Sequence, residues 1–276
     1  MKPILFTLGP FEVSSYATMI CLGAFLAIWL AIREIDRKAL RRGPYLTVSL
    51  IGFSAGIIGA RAMNCIVFFD LYRENPWKVL AVWEGGLAMY GGVFLAFLLG
   101  YAYVLYRRMS FWEVADTLLP PWTVLLVMGR LGCFLNGCCY GKPTTVPWGI
   151  HLHESALKTG YFFVNTHPTQ LYSFAAALAI FLVMWRARLH PRFPGQTALI
   201  GLILYPIARF IIEFFRTDPR GMWRFFDLVT LSESQILSIP LLLFALIAWY
   251  RQSRQRIPSG ANPAAPGKGN KHSTTQ

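Results

Sequence analysis

The segment that decides the fold is Val114–Gly141, VADTLLPPWTVLLVMGRLGCFLNGCCYG. From Val114 to Phe134 it is almost wholly apolar. As a helix rising about 1.5 Å per residue, it is long enough to cross the ~30 Å hydrocarbon core of a bilayer. A permanent cation, Arg130, stands near its end. Charge at that depth is expensive and is retained for a partner or a ligand. Gly129, Gly132, Gly137 and Gly141 surround it, together with Asn136 and the cysteines 133, 138 and 139. Glycines let backbones approach closely and allow turns that other residues resist.

Working outward, the same length criterion picks out Val13–Ile32, Tyr45–Phe69, Gly86–Tyr106, Pro168–Trp185, Thr197–Phe215 and Val229–Tyr250. With Val114–Phe134 these make about seven spans. Pro120, Pro121 and Pro206 fall inside two of them, where kinks are expected. The chain is 55% hydrophobic and 14% charged, which indicates an integral membrane protein. Its net charge of +13 would suggest nucleic acid in a soluble protein. Here the basic residues fill short gaps between apolar runs, so they are topology signals, and no nucleic-acid partner is expected. The first apolar run is followed by REIDRKALRR. A cleavable signal peptide carries its positive charge before the run, so the first helix is expected to stay in the membrane.

Orientation follows from the basic loops. One set holds Arg33, Arg37, Lys38, Arg41 and Arg42, then Arg107 and Arg108, then Arg186, Arg188 and Arg192, and finally Arg251, Arg254 and Arg256. The opposite set holds fewer basic residues: Lys2, Arg73, Lys78, Lys142, Lys158, Arg220 and Arg224. The richer side is expected to be cytoplasmic, with the N-terminus periplasmic and the C-terminus cytoplasmic. The expected fold is all-α: a polytopic membrane domain over residues 1–256 with about seven transmembrane helices. Residues of about 138–166 would form a small periplasmic cap. The Pro-, Gly- and Ser-rich residues 257–276 would be a disordered cytoplasmic tail.

This topology puts the intramembrane polar residues at a similar depth. Tyr16 begins the first span, Arg61 lies in the outer half of the second, and Tyr90 in the first turns of the third. Arg130 closes the fourth. Arg209, Glu213 and Arg216 share one face toward the outer end of the sixth, spaced four and then three apart. Glu213 pairs with one arginine and leaves net positive charge. The arginine fork suits bidentate contact with phosphate oxygens, so the expectation is a pocket for an anionic lipid headgroup anchored by Arg130. The plainer alternative is a set of ion pairs locking helices together. For Arg61 that bracing role weighs as much as binding. Gly85, Gly86, Gly91 and Gly92 bracket Leu87–Tyr90, for close helix packing or for backbone beside a ligand. Tyr16 and Tyr90 have a bland reading too, since tyrosine is enriched at membrane interfaces. His167–Pro168–Thr169–Gln170 opens the fifth span, with Thr166 as a candidate cap and with Gln170 and Tyr172 able to face the pocket.

Cys21 and Cys65 lie inside apolar runs, where the expectation is small core residues. Cys133, Cys138 and Cys139, with His151 and His153 beyond them, match no common zinc spacing, and adjacent cysteines chelate awkwardly. A disulfide or small-residue packing is the preferred reading, and neither a metal nor a cofactor is expected.

EGGLAMYGG (Glu84–Gly92), GRLGCFLNG (Gly129–Gly137), HPTQLY (His167–Tyr172) and RFIIEFFR (Arg209–Arg216) together resemble the prolipoprotein diacylglyceryl transferase family, in order and spacing, over nearly the whole membrane domain. The resemblance implies seven spans in the bacterial inner membrane and an outside N-terminus. It also implies transfer of a diacylglyceryl group from phosphatidylglycerol to the lipobox cysteine of a prolipoprotein signal peptide. By resemblance, Arg130 binds the phosphatidylglycerol headgroup, Arg209 is catalytic or stabilises the phosphate, Glu213 orients Arg209 or its neighbours, and Tyr16 lines the site; Tyr90 joins these as a catalytic candidate, and Gly86, Asn136, Arg61 and Gln170 join Arg130 as substrate-binding candidates. The chain departs from the family pattern at Tyr90, where histidine is usual. It departs also at Cys133 and Cys138, where a well-studied branch has asparagine and glutamate. Histidine takes a proton near neutral pH, whereas an unperturbed tyrosine has a pKa of about 10. The competing readings are a lipid-binding accessory protein that has lost turnover, and a thiol-redox protein using Cys138 and Cys139. A channel is disfavoured because the polar residues gather at one level.

Overall fold

The computed structural model describes residues 3–8, 11–81, 85–151, 165–216, 222–225 and 229–254. Among the described residues seven helices are long and apolar enough to cross a membrane: α1 (Ser15–Arg37), α2 (Arg42–Val67), α4 (Met89–Tyr106), α5 (Phe111–Asn136), α6 (Thr169–Ala187), α7 (Gln196–Glu213) and α8 (Glu233–Ser253). They match the expected spans to within a few residues, and the chain is a multi-pass membrane protein. A short helix α3 (Phe69–Glu74) and a 3-10 turn at Pro76–Val79 link α2 to α4. Two small antiparallel hairpins, β1 (Ile4–Leu8) with β2 (Phe11–Ser14) and β3 (Met222–Phe225) with β4 (Val229–Ser232), lead into α1 and α8.

Small residues decide which helices pair. On α1, Gly23, Ala24, Ala27 and Ala31 recur at helical spacing and are buried. They bring α1 against α5, so a Cβ at Gly23 would lie 2.9 Å from Met128 Cβ. Between α2 and α4 the backbones themselves touch. A Cβ at Gly92 would meet the Gly56 carbonyl at 2.6 Å, and Ala88 N–H donates to Ala60 O at 2.9 Å. Close packing is therefore the role of Gly91 and Gly92. Large side chains such as Phe25, Ile66 and Phe94 remain exposed, as lipid-facing surface requires.

Two buried carboxylates fix the end of the bundle opposite Arg130. Glu34 takes Arg37 and Arg188 at 2.6 Å each. Asp116 of α5 accepts the backbone N–H groups of Gly195 (2.7 Å) and Ala198 (2.8 Å) and so caps α7 from another helix. Gly195 sits at φ +87 with the Trp112 ring against it, and a Cβ there would lie 2.5 Å from that ring.

Three local expectations are corrected. The last span begins at Glu233, because Val229–Ser232 pairs as a strand; Ser232 and Gln235 then form a reciprocal capping box. Thr166 does not cap α6. Its hydroxyl donates to Ile150 O at 3.3 Å and its backbone pairs with Ile150, tying the two ends of the expected cap segment together. Helix α2 stops at Val67, before Phe69. Residues 152–164, with His153, and the tail 257–276 lie outside the described residues, as does Glu84.

Candidate active site

The C-terminal half of α5, the first half of α6 and the C-terminal turns of α7 line a narrow cleft of about 20 Å³. Arg130, Ser173, Tyr205 and Arg209 are its polar walls. Arg130 and Arg209 thus reach one space from separate helices. Arg209 is buried and donates to Ser234 Oγ at 2.7 Å, while its other nitrogen pairs closely with Glu213. Arg216 Nε stands 3.8 Å from the same carboxylate. Arg130 has no acceptor or carboxylate partner among the described residues. Arg130 and Arg209 are the charged groups lining the cleft, and of these two Arg209 is held by Glu213.

Tyr90 enters this network indirectly, its hydroxyl 3.5 Å from Ser234 Oγ at the long limit of a hydrogen bond. Tyr16 packs over Gly132, whose Cβ would fall 3.2 Å from its ring. It lies in the field of Arg130 and the three cysteines. Gln170 is fully buried. Its Nε2 donates to Cys138 O at 2.8 Å, and its Oε1 has no hydrogen-bond partner among the described residues. Asn136 closes α5 and its side chain reaches Cys138.

Arg61 and Gly86 sit elsewhere. Arg61 spends its donors on the carbonyls of Lys78, Val79, Ala81, Gly85 and Gly86. Five donors meet five acceptors, which leaves none for a phosphate. Arg61 braces the α2–α4 connection, and Gly86, at φ +70, is a turn in that connection with Arg61 Nη1 3.0 Å from where its Cβ would be.

The turn after α5 gathers the thiols. Gly137 takes a left-handed conformation, and Cys138 N–H donates to Cys133 O at 3.1 Å in a Schellman-type closure. Cys139 is itself left-handed at φ +63, held by Thr169 Oγ1 donating to its carbonyl at 2.7 Å. The three sulfurs come within 4.8 Å of one another, and all are free thiols. The expected awkwardness of adjacent cysteines is removed by this reversal of the backbone at Cys139.

Leu126, Ala177, Ile180 and Tyr205 are shared with a second, apolar cleft of about 210 Å³ that runs between the same three helices past Leu119, Trp122 and Met184. The cleft that carries the two arginines thus continues into an apolar trough. Sequence reasoning missed Ser234 and Tyr205. Tyr205 is one turn before Arg209 and was legible by spacing. Ser234 was hidden by the misplaced start of α8.

A sequence profile of the prolipoprotein diacylglyceryl transferase family matches residues 3–251. The chain belongs to that family. Diacylglyceryl transferase relatives match across nearly their full length. One from Clostridium tetani is 30% identical over 251 residues, covering 90% of this chain and 97% of the relative. One from Bacillus licheniformis is 33% identical, covering 91% and 93%. One from Legionella pneumophila (strain Paris) is 32% identical, covering 91% and 96%. Each is named a phosphatidylglycerol–prolipoprotein diacylglyceryl transferase.

Proposed function

We propose that this protein transfers the diacylglyceryl group of phosphatidylglycerol to the lipobox cysteine of prolipoproteins, at the outer face of the bacterial inner membrane. The observation that carries this reading is the cleft shared by Arg130, which has no acceptor among the described residues, and Arg209. The Arg130 fork takes the phosphodiester, and the apolar trough beyond Leu126 takes acyl chain.

In the reaction the acceptor sulfur attacks the glyceryl carbon, forming a C–S bond. The C–O bond to phosphate breaks and its electron pair leaves with glycerol phosphate. One elementary negative charge develops on that phosphate. At roughly 4 Å and an effective dielectric of about 20, one guanidinium stabilises it by about 4 kcal/mol. Arg209 is preorganised for this by Glu213 and Ser234, so little reorganisation accompanies the step. Tyr90 and Tyr16 orient the arginines or the lipid head; Gln170 and Asn136 hold the turn after α5.

Complementation tests the reading. Expression in cells depleted of their own transferase is expected to restore the lipoprotein mass shift. Correct insertion with no shift would reduce the protein to a phospholipid-binding accessory, the reading that Tyr90 in place of histidine favours.

A further inference from the structure

The transfer needs a group that removes the acceptor thiol's proton, and the cleft holds no obvious one. Its walls carry arginine, serine and tyrosine, and Glu213 is held by two arginines. His167 Nδ1 is engaged by Tyr172 at 3.1 Å. The chemistry present is sulfur. Cys133 lies one turn beyond Arg130 on α5, on the same face. With Cys138 and Cys139 it forms a group of three sulfurs within 4.8 Å, joined by no histidine or carboxylate among the described residues.

We propose that Cys133, Cys138 and Cys139 hold a Zn²⁺ ion whose fourth position receives the lipobox cysteine as thiolate. This rests on the transferase reading and deepens it by naming how the acceptor sulfur is activated.

Three thiolates on one zinc, each at about 2.3 Å, stand about 3.8 Å apart, so the sulfurs need only a small contraction. Three protein ligands with an open fourth position is the pattern of catalytic zinc; four protein ligands would make a closed structural site. Three thiolates give the zinc a net charge of −1, and an incoming thiolate makes it −2. Arg216, which reaches Cys139, is placed to offset that charge and orient the ligand. Gln170 and Thr169 fix the backbone of Cys138 and Cys139 from α6. Coordination removes the thiol proton to water, and the bound sulfur keeps its nucleophilic lone pair. Attack then forms the C–S bond as the C–O bond to phosphate breaks, and the thioether product is a weaker ligand that leaves the zinc.

The test uses the purified full-length protein, stripped with a chelator and reloaded with Zn²⁺ or Co²⁺. The expected result is one metal ion per chain, falling below about a tenth in the triple variant Cys133→Ser/Cys138→Ser/Cys139→Ser. In the Co²⁺ form, a lipobox peptide should raise the sulfur-to-cobalt absorption by roughly a third, as three thiolates become four, and its Cys→Ser analogue should not. The cobalt measurement on wild-type protein decides the matter even if the triple variant fails to fold. Sub-stoichiometric metal, equal metal in the triple variant, an absorption indifferent to the peptide, or a disulfide among the three in protein isolated without air would each overturn the proposal. Full transfer by metal-free protein would overturn it and leave the transferase reading standing. A peptide-responsive metal site in a protein that transfers nothing would support the site and sink the transferase reading.

Discussion

Arg130 and Arg61 are both arginines at membrane depth, and their surroundings give opposite expectations. Arg130 faces the cleft without a protein partner among the described residues, so removing it strands nothing. Arg61 holds five backbone carbonyls, and its loss leaves several buried acceptors unsatisfied at about 1–3 kcal/mol each. Arg130→Ala is expected to keep the thermal unfolding midpoint in detergent, whereas Arg61→Ala lowers it markedly. Equal midpoints for the two variants would remove the distinction. The residue types and depths were legible in the sequence, because charge inside an apolar run is conspicuous. Which arginine was already spent was not, because Arg61's partners come from a connection whose path back over α2 leaves no periodic signal. The thiol cluster was illegible for a similar reason: it depends on one left-handed residue, Cys139, that no spacing rule anticipates.

At the scale of elements, the site depends on where α7 is set, since α7 carries Tyr205, Arg209 and Glu213. Its N-terminus is capped by Asp116 from α5, which also carries Arg130 at its other end. A single carboxylate thus fixes the relation between the two helices that face each other across the cleft. Asp116→Ala is expected to destabilise the protein by about 1–2 kcal/mol, the usual loss for a cap, read as a lower unfolding midpoint. Asn, which keeps one acceptor oxygen, should lose less. An unchanged midpoint in Asp116→Ala would show the contact to be incidental. The helices themselves were read nearly whole, because length and hydropathy suffice for a span. Their ends were less legible: a β-hairpin replaces the first four residues expected of α8, since strand and helix compete for the same short apolar run Val229–Ser232.

For the whole molecule, alternation of helix direction is what brings Tyr16, Tyr90, Arg130 and Arg209 to one end, and this followed from the spans alone. The other end carries the buried Glu34 with Arg37, Lys38 and Arg188, on the side whose loops are rich in basic residues. A reporter active only in the cytoplasm, fused after Arg256, is expected to be active; one active only outside should be silent. The reverse pattern would put the cleft on the cytoplasmic face, away from the acceptor signal peptides. Joining these scales, the proposed function has two arginines on separate helices take the phosphate of one phospholipid, and the direct measurement is transfer itself. Labelled phosphatidylglycerol and a lipobox peptide are incubated with purified wild-type protein and with Arg130→Ala. The account predicts labelled thioether peptide from the wild type and a rate about 10²–10³-fold lower from the variant. Equal rates from the two proteins, or no product from a folded wild type, would contradict it.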